Sequence, residues 1–188
     1  DGVFYRINAD LRMNHPFSDQ TVAQIAGLSQ ALAVNGTTLI FVPIPTKSVT
    51  MPGYLPIDLE LYGFDLEVAT EVHLDILRRL DAAEVITVDA RAAMIDIPSG
   101  EIAFFKADFH WSAAGARQTA IAVAETIRGL PEYADLEPTR FETVPLEVGV
   151  AFSGMRRILQ RSCLTTLPEV ETMTYLTSQV QVPDLDNG

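Results

Sequence analysis

Cysteine is almost missing from this sequence: Cys163 is the single one in 188 residues, so no internal disulfide can staple the fold. Its setting, Arg161-Ser162-Cys163-Leu164, suits a small buried apolar residue better than a thiolate nucleophile. Scarce cysteine leaves the redox compartment open. Long hydrophobic runs are lacking too, so no transmembrane segment is expected, and no signal-peptide pattern stands at Asp1. The lack of an initiator Met gives the expectation of a processed or trimmed polypeptide. Basic charge is in short supply, 13 Lys and Arg against 25 Asp and Glu, for a formal net charge of −12. That balance argues against a nucleic-acid partner, whose phosphates would be repelled. An anionic polymer would need a local basic patch, whereas a neutral one would not. Internal repeats and low-complexity tracts are also wanting. What remains is a 48% hydrophobic chain of a length that supports one domain, residues 1–188, with a real core.

The order of elements predicts an α/β fold, a parallel sheet flanked by helices. Val3 to Ile7 reads as a short extended segment, and His15, before Pro16, as an exposed loop residue without a role. Ser18 is a helix cap, Val22, Ile25, Ala26, Leu32 and Ala33 form a buried stripe, and Asn35-Gly36 is a stop. Thr37 to Ile44 is a β-branched and aromatic run, the pattern of a central strand buried on both faces. A proline-rich loop without regular structure follows to Pro56. Asp65 to Asp81 is a second helix with Leu66, Ala69, His73, Leu77 and Leu80 on one side, His73 at the edge as a helix-packing residue. Val85 to Asp89 is a strand, Ala90 to Met94 a helical turn, Ser99-Gly100 a turn, and Ile102 to Phe105 a strand. Beyond Pro131 the pattern weakens. Pro131 to Pro145 reads as loop. Arg156, Arg157 and Arg161 lie on a helix, as a basic patch or, more commonly, a solvated face. Val180 to Gly188 reads as a linker.

The stretch with chemistry in it is Lys106-Ala107-Asp108-Phe109-His110-Trp111-Ser112-Ala113-Ala114-Gly115-Ala116. Ser112 is a good N-cap for the helix that follows, in which Thr119, Ala120, Val123, Ala124 and Ile127 share a face before Gly129 and Pro131 close it. Asp108 and His110 then fall in a strand-to-helix loop, where catalytic side chains are often carried. Two readings compete. In one, Asp108 orients His110 as a general base by holding one imidazole nitrogen. In the other, Asp108 caps a turn and His110 packs beside Trp111, and on spacing alone this second reading stands ahead. A metal site would need more ligands than one Asp and one His. Lys47, beyond the carboxyl end of the Thr37–Ile44 strand, would touch a substrate, support the loop, or be a solvated loop lysine.

Asp-x-His-Trp-Ser/Thr followed by a Gly-Ala helix start resembles the DHHW and AlgX/AlgJ group of SGNH-hydrolase-like proteins, which O-acetylate bacterial exopolysaccharides such as alginate. Leu39-Ile40-Phe41-Val42-Pro43-Ile44-Pro45-Thr46-Lys47, leading to Tyr54-Leu55-Pro56, resembles them as well. So does the order of elements, from about Asp1 to Ile127. The resemblance implies a three-layer SGNH-hydrolase-like fold, a periplasmic location in a Gram-negative bacterium, and an O-acetyltransferase of Ser-His-Asp type with Asp108 orienting and His110 as base then acid. Its partners would be a polysaccharide substrate and an acetyl-donor protein or membrane acyltransferase of a secretion complex, with no metal or nucleotide cofactor. Trp111 would stack on a sugar face or, the favoured role, plug the core beneath the loop.

The group's serine comes later, in a Gly-Asp/Thr-Ser type turn, and no such turn occurs before Gly188. Ser112 is better used as a cap, Ser153 lacks a Gly-x-Ser-x-Gly elbow, and Ser162 sits within a helix. The expectation is an SGNH-like domain incomplete at its C-terminus, with the nucleophile downstream and the isolated chain inactive. Two other functions remain open: a non-catalytic polysaccharide-binding scaffold of a secretion complex, and a carbohydrate acetyl esterase.

Overall fold

The computed structural model describes residues 2–98, 100–135, 141–150, 154–164, 167 and 170–180. Ser99 of the expected turn, Ser153 and residues 181–188 of the expected linker lie outside them. Helix α1 spans Asp19–Ala33, capped by Ser18, whose Oγ accepts from Thr21 N at 3.1 Å. Gly36, at φ +70°, turns the chain away from it as the Asn-Gly stop predicts. The stripe is narrower than expected. Val22 is buried, Ile25, Ala26 and Leu32 are half-buried and Ala33 is exposed, because α1 meets the fold along one edge, against α3 and Phe41.

Strands β1 (Ile40–Phe41) and β2 (Ile86–Thr87) pair in parallel, Ile40 with Ile86 and Phe41 with Thr87. The strand expected over Thr37 to Ile44 is therefore a two-residue ladder, half-buried rather than enclosed. Pro43 and Pro45 have no N–H to donate, so the ladder cannot continue through them. Short as it is, the pair divides two cores. Phe41 packs with Val22, Ile76, Leu80 and Val85, while Val42 packs with Met51, Ala90, Met94, Ala103 and Phe104. Successive side chains of extended chain point to opposite faces. The parallel pair thus lies between a layer of α1 and α3 (Leu66–Asp81) and a layer containing α4 (Ala90–Ile95), on which α5 (Ala113–Arg128) packs. This is the three-layer α/β arrangement.

After β1 the chain is more regular than a proline-rich loop suggests: helix α2 (Lys47–Thr50) is followed by 3-10 turns at Pro52–Tyr54 and Leu59–Tyr62. Asp65 caps α3, accepting from Glu67 N and Val68 N at 2.8 and 3.0 Å. Ala69, His73, Ile76 and Leu80 are its buried residues, so Ile76 takes the place expected of Leu77. His73 is buried rather than marginal, 3.3 Å from Asp89 Oδ1, and the same carboxylate caps α4 by accepting from Ala92 N. The hydrogen bond from His73 is the foremost cause holding the Asp89 carboxyl below its ordinary value. His15 is half-buried, its Nε2 2.8 Å from Asp75 Oδ2.

No strand forms at 102–105. The chain makes one bridge, Phe104 to Trp111, and closes into a loop by Ser112 N donating to Ala103 O at 2.8 Å. In α5, Ala114, Gly115 and Thr119 are buried while Ala120 is exposed, because the helix docks by its first turn. The larger departure comes later. Strands β3 (Phe141–Val150) and β4 (Thr172–Val180) form an antiparallel pair that was not expected, β3 beginning inside the expected Pro131–Pro145 loop, with a register shift between Pro145 and Glu147. Helix α6 (Gly154–Ser162) lies between them, with Arg156 buried and Arg157 and Arg161 exposed. Cys163, just past α6, is half-buried.

A candidate active site on the loop before helix α5

The loop is built from its C-terminal anchor backward. Ser112 caps α5, its Oγ accepting from Gly115 N at 3.1 Å, and the same hydroxyl donates to Ile102 O. That pins both ends of the 103–112 loop to one side chain. Met173 of β4 adds an outer tie, its sulfur 3.0 Å from Ala113 N, and Glu171 accepts from Lys106 N.

At the tip, Asp108 Oδ1 accepts from His110 N at 2.8 Å and stands 2.7 Å from His110 Nδ1. The carboxylate side chain is 12% exposed and the imidazole 65% exposed. Burial pushes the Asp108 carboxyl up, but the His110 main-chain and ring hydrogen bonds outweigh it and hold the group below its ordinary value. An ionised carboxylate only accepts, so Nδ1 carries the proton and donates. Nε2 is then the basic nitrogen of a ring open to solvent. One carboxylate thus caps the turn at His110 N and holds the His110 ring at once.

Around the ring stand groups that sequence spacing did not bring together. The Phe109 ring lies 4.1 Å from the His110 ring, and the Arg6 guanidinium lies 4.2 Å over the Phe109 ring. Arg6 is itself tied to Asp10, Nη2 to Oδ1 at 2.9 Å. No signal in the sequence marks Arg6, a hundred residues away. Trp111 is 37% exposed rather than a plug in the core, because its backbone is held by the Phe104 bridge at the loop rim. Lys47 is the reverse case. It has zero exposure, so it is not a solvated loop lysine and has no surface with which to meet a substrate. Its Nζ donates to the carbonyls of Phe4, Phe105, Lys106 and Asp108, which is the loop-supporting role.

Two concavities lie along α3, lined by residues such as Glu60, Glu67, Glu71 and Asp75, and neither reaches Asp108 or His110. The described residues contain no grouping of three His, Cys, Asp or Glu side chains that would hold a metal ion. They contain no helix long and apolar enough to cross a membrane. No serine hydroxyl among them is hydrogen-bonded to His110; Ser112 is buried in its cap.

A three-layer α/β core with an Asp-His pair on a loop before a helix defines an SGNH-hydrolase-like domain. Comparison with known proteins bears this out: residues 3–186 match the family described as SGNH hydrolase-like domain, acetyltransferase AlgX, and the chain belongs to it. The match extends well past Ile127, over the β3–β4 pair as well. Among relatives, the chain is 29% identical over 143 residues to the alginate biosynthesis protein AlgX of Pseudomonas aeruginosa, covering 76% of this chain and 30% of that one. It is 28% identical over 167 residues to the protein of the same name from Azotobacter vinelandii, covering 86% and 33%. The chain thus spans about a third of the length of these relatives. The solved structure of Pseudomonas aeruginosa AlgX superposes with a TM-score of 0.83 at 23% identity, covering 96% of this chain and 43% of that one. The O-acetyltransferase domain of Pseudomonas putida AlgJ superposes at 0.65, also at 23% identity, over 86% and 56%.

Proposed function

We propose that this domain transfers acetyl groups to hydroxyls of an exported bacterial polysaccharide, alginate or a polymer like it, in the periplasm. The observation that carries the reading is the 2.7 Å contact between Asp108 Oδ1 and His110 Nδ1 on a ring that faces solvent. Asp108 fixes the tautomer, and His110 Nε2 takes the proton of a serine hydroxyl as that oxygen attacks an acetyl carbonyl. The donor's leaving group departs with the proton from His110. The sugar hydroxyl then gives its proton to Nε2 and attacks the acetyl-serine, and the departing serine oxygen takes that proton back, leaving the free serine and the acetylated sugar. An acetyl-donor protein or membrane acyltransferase of a secretion complex supplies the acetyl group. The open setting of His110 suits a bulky polymer, and Trp111, half-exposed beside it, offers a flat face for a sugar ring.

One observation favours a second reading, a non-catalytic polysaccharide-binding scaffold: no described serine stands at His110. Acetyl-ester turnover by the purified full-length gene product, with an oligosaccharide acceptor, separates the two. His110→Ala should lower turnover by about 10²–10⁴-fold. Acetylated oligosaccharide marks a transferase, and free acetate alone an esterase. Equal turnover in wild type and His110→Ala overturns the assignment of the base. The same assay on the 188-residue chain tells whether the nucleophile lies within it.

A further inference from the structure

Lys47 takes no part in the chemistry just proposed, yet its ammonium is sealed from solvent. A buried charge persists only when hydrogen bonds replace its water. Here main-chain carbonyls do so: Nζ lies 2.6 Å from Phe105 O, 2.8 Å from Lys106 O, 3.0 Å from Phe4 O and 3.1 Å from Asp108 O. An ammonium has three N–H groups, so four acceptors exhaust it. Among the described residues no carboxylate forms an ion pair with it. Burial lowers its pKa to about 8, with Asp10, Glu171 and Asp108 favouring the charge from farther off and Arg6 opposing it.

Three of the four carbonyls belong to residues 105–108, the segment that delivers the Asp108 carboxylate. Their oxygens converge on one point, which bends that segment into an arc around Nζ. Phe4 closes the arc from the other side, since its N–H also donates to Lys106 O at 2.8 Å. With Asp108 O drawn inward, the Asp108 side chain leaves the arc toward His110 N and Nδ1. Other bonds hold the segment beside the ammonium: Phe105 N–H donates to His110 O at 3.3 Å, Asp108 N–H to Phe105 O at 3.4 Å, and Lys106 N–H to Glu171.

We propose that Lys47 is a positioning residue for His110, its ammonium being the template on which the 105–108 backbone closes and the Nδ1–H tautomer of His110 is set. This rests on the reading of His110 as the base. Lys47 touches neither substrate nor imidazole and acts only through Asp108. A misplacement of the orienting carboxylate by an ångström is enough to cost about 10²-fold in rate.

The test uses the full-length gene product labelled with 15N-histidine, with His110→Ala to assign the signal. In wild type, His110 should show a protonated Nδ1 and an unprotonated Nε2 at a pH where the ring is neutral. In Lys47→Met, of similar size but without donors, that preference should be lost. The acetyl-transfer kcat per folded molecule should fall about 10²-fold with KM held within about twofold. Lys47→Arg keeps the charge, but its planar fork cannot bring three N–H groups to one point. It should fold and show mixed tautomers and a kcat between the other two. A wild-type tautomer preference in either folded variant overturns the proposal. So does a kcat loss that vanishes once folded protein is counted. Should both variants be unfolded, Lys47 serves the fold as a whole and the narrower role is overturned. Failure of His110 as base is seen separately, as turnover that survives His110→Ala, and leaves the tautomer measurement intact.

Discussion

Helix α5 meets the candidate loop through a glycine, and that contact yields a prediction with a definite sign. A Cβ placed on Gly115 would stand 2.4 Å from Ala103 O and 3.2 Å from Ala103 C. Ordinary contact begins at about 3.4 Å, so Gly115→Ala requires the helix and the loop to part by about 1 Å. The loop cannot yield cheaply. The obstructing atom is backbone, it already accepts from Ser112 N at 2.8 Å, and its neighbour Ile102 O is held by Ser112 Oγ. Overpacking of this kind costs about 1–3 kcal/mol, against a helix-propensity gain of about 1 kcal/mol for replacing glycine by alanine. The net is a loss of up to about 2 kcal/mol. In a domain of this size each kcal/mol moves Tm by about 2–4 °C. Gly27, within α1, is the control: a Cβ there meets nothing within 4 Å, so Gly27→Ala should raise Tm by about 1–4 °C. Thermal unfolding followed by circular dichroism measures both. Hydrogen exchange of the 103–112 amides should quicken in Gly115→Ala and stay unchanged in Gly27→Ala. If Gly115→Ala proves as stabilising as Gly27→Ala, the close approach that anchors the loop is wrong.

Ser112→Ala removes the cap of α5 and leaves Ile102 O without its hydroxyl partner. It should cost about 2 kcal/mol in urea unfolding, and a loss below about 0.5 kcal/mol would count against the two-ended anchor. Asp108 ties stability to acid. Its carboxyl is more acidic in the folded chain than its ordinary value of 3.8, so the unfolded chain binds more protons as the pH falls. The stability it contributes is whole above that value and is lost as pH drops through the lower native one. Asp108→Asn should flatten this part of the acid limb, read from urea midpoints between about pH 2 and 6; an unchanged limb would speak against an ionised partner for His110.

Much of the first two-thirds of the fold was legible because its signals are local. Ser18 and Ser112 read as caps because a side-chain oxygen answers N–H groups two or three residues on, and Asp65 and Asp89, read as helix and strand residues, cap α3 and α4 in the same way. Strand lengths were less legible, since a β-branched run shows what tolerates burial, while a ladder needs N–H groups and a neighbour. At Thr37 to Ile44 the prolines won. The β3–β4 pair was missed for the same reason in reverse: β3 carries Glu142, Pro145, Glu147 and Gly149 and is exposed along most of its length, so no buried face marks it. Its pairing with β4 is a contact across sequence that composition does not announce.

The sequence alone placed Asp108 and His110 in one loop before a helix and left open whether they pair. With one residue between them and a capped helix just after, a single turn can bring carboxylate and imidazole together. The same run carried the family likeness. Which residues hold that turn was decided by tertiary structure. Lys47 reads as a loop lysine until the 105–108 carbonyls fold over it, Arg6 and Phe109 meet only when the N-terminal segment crosses the loop, and Trp111 lies at the rim because of where Phe104 pairs. Spacing encodes contacts within a turn. Contacts between segments depend on packing, and packing alone turned an ordinary lysine into a buried one.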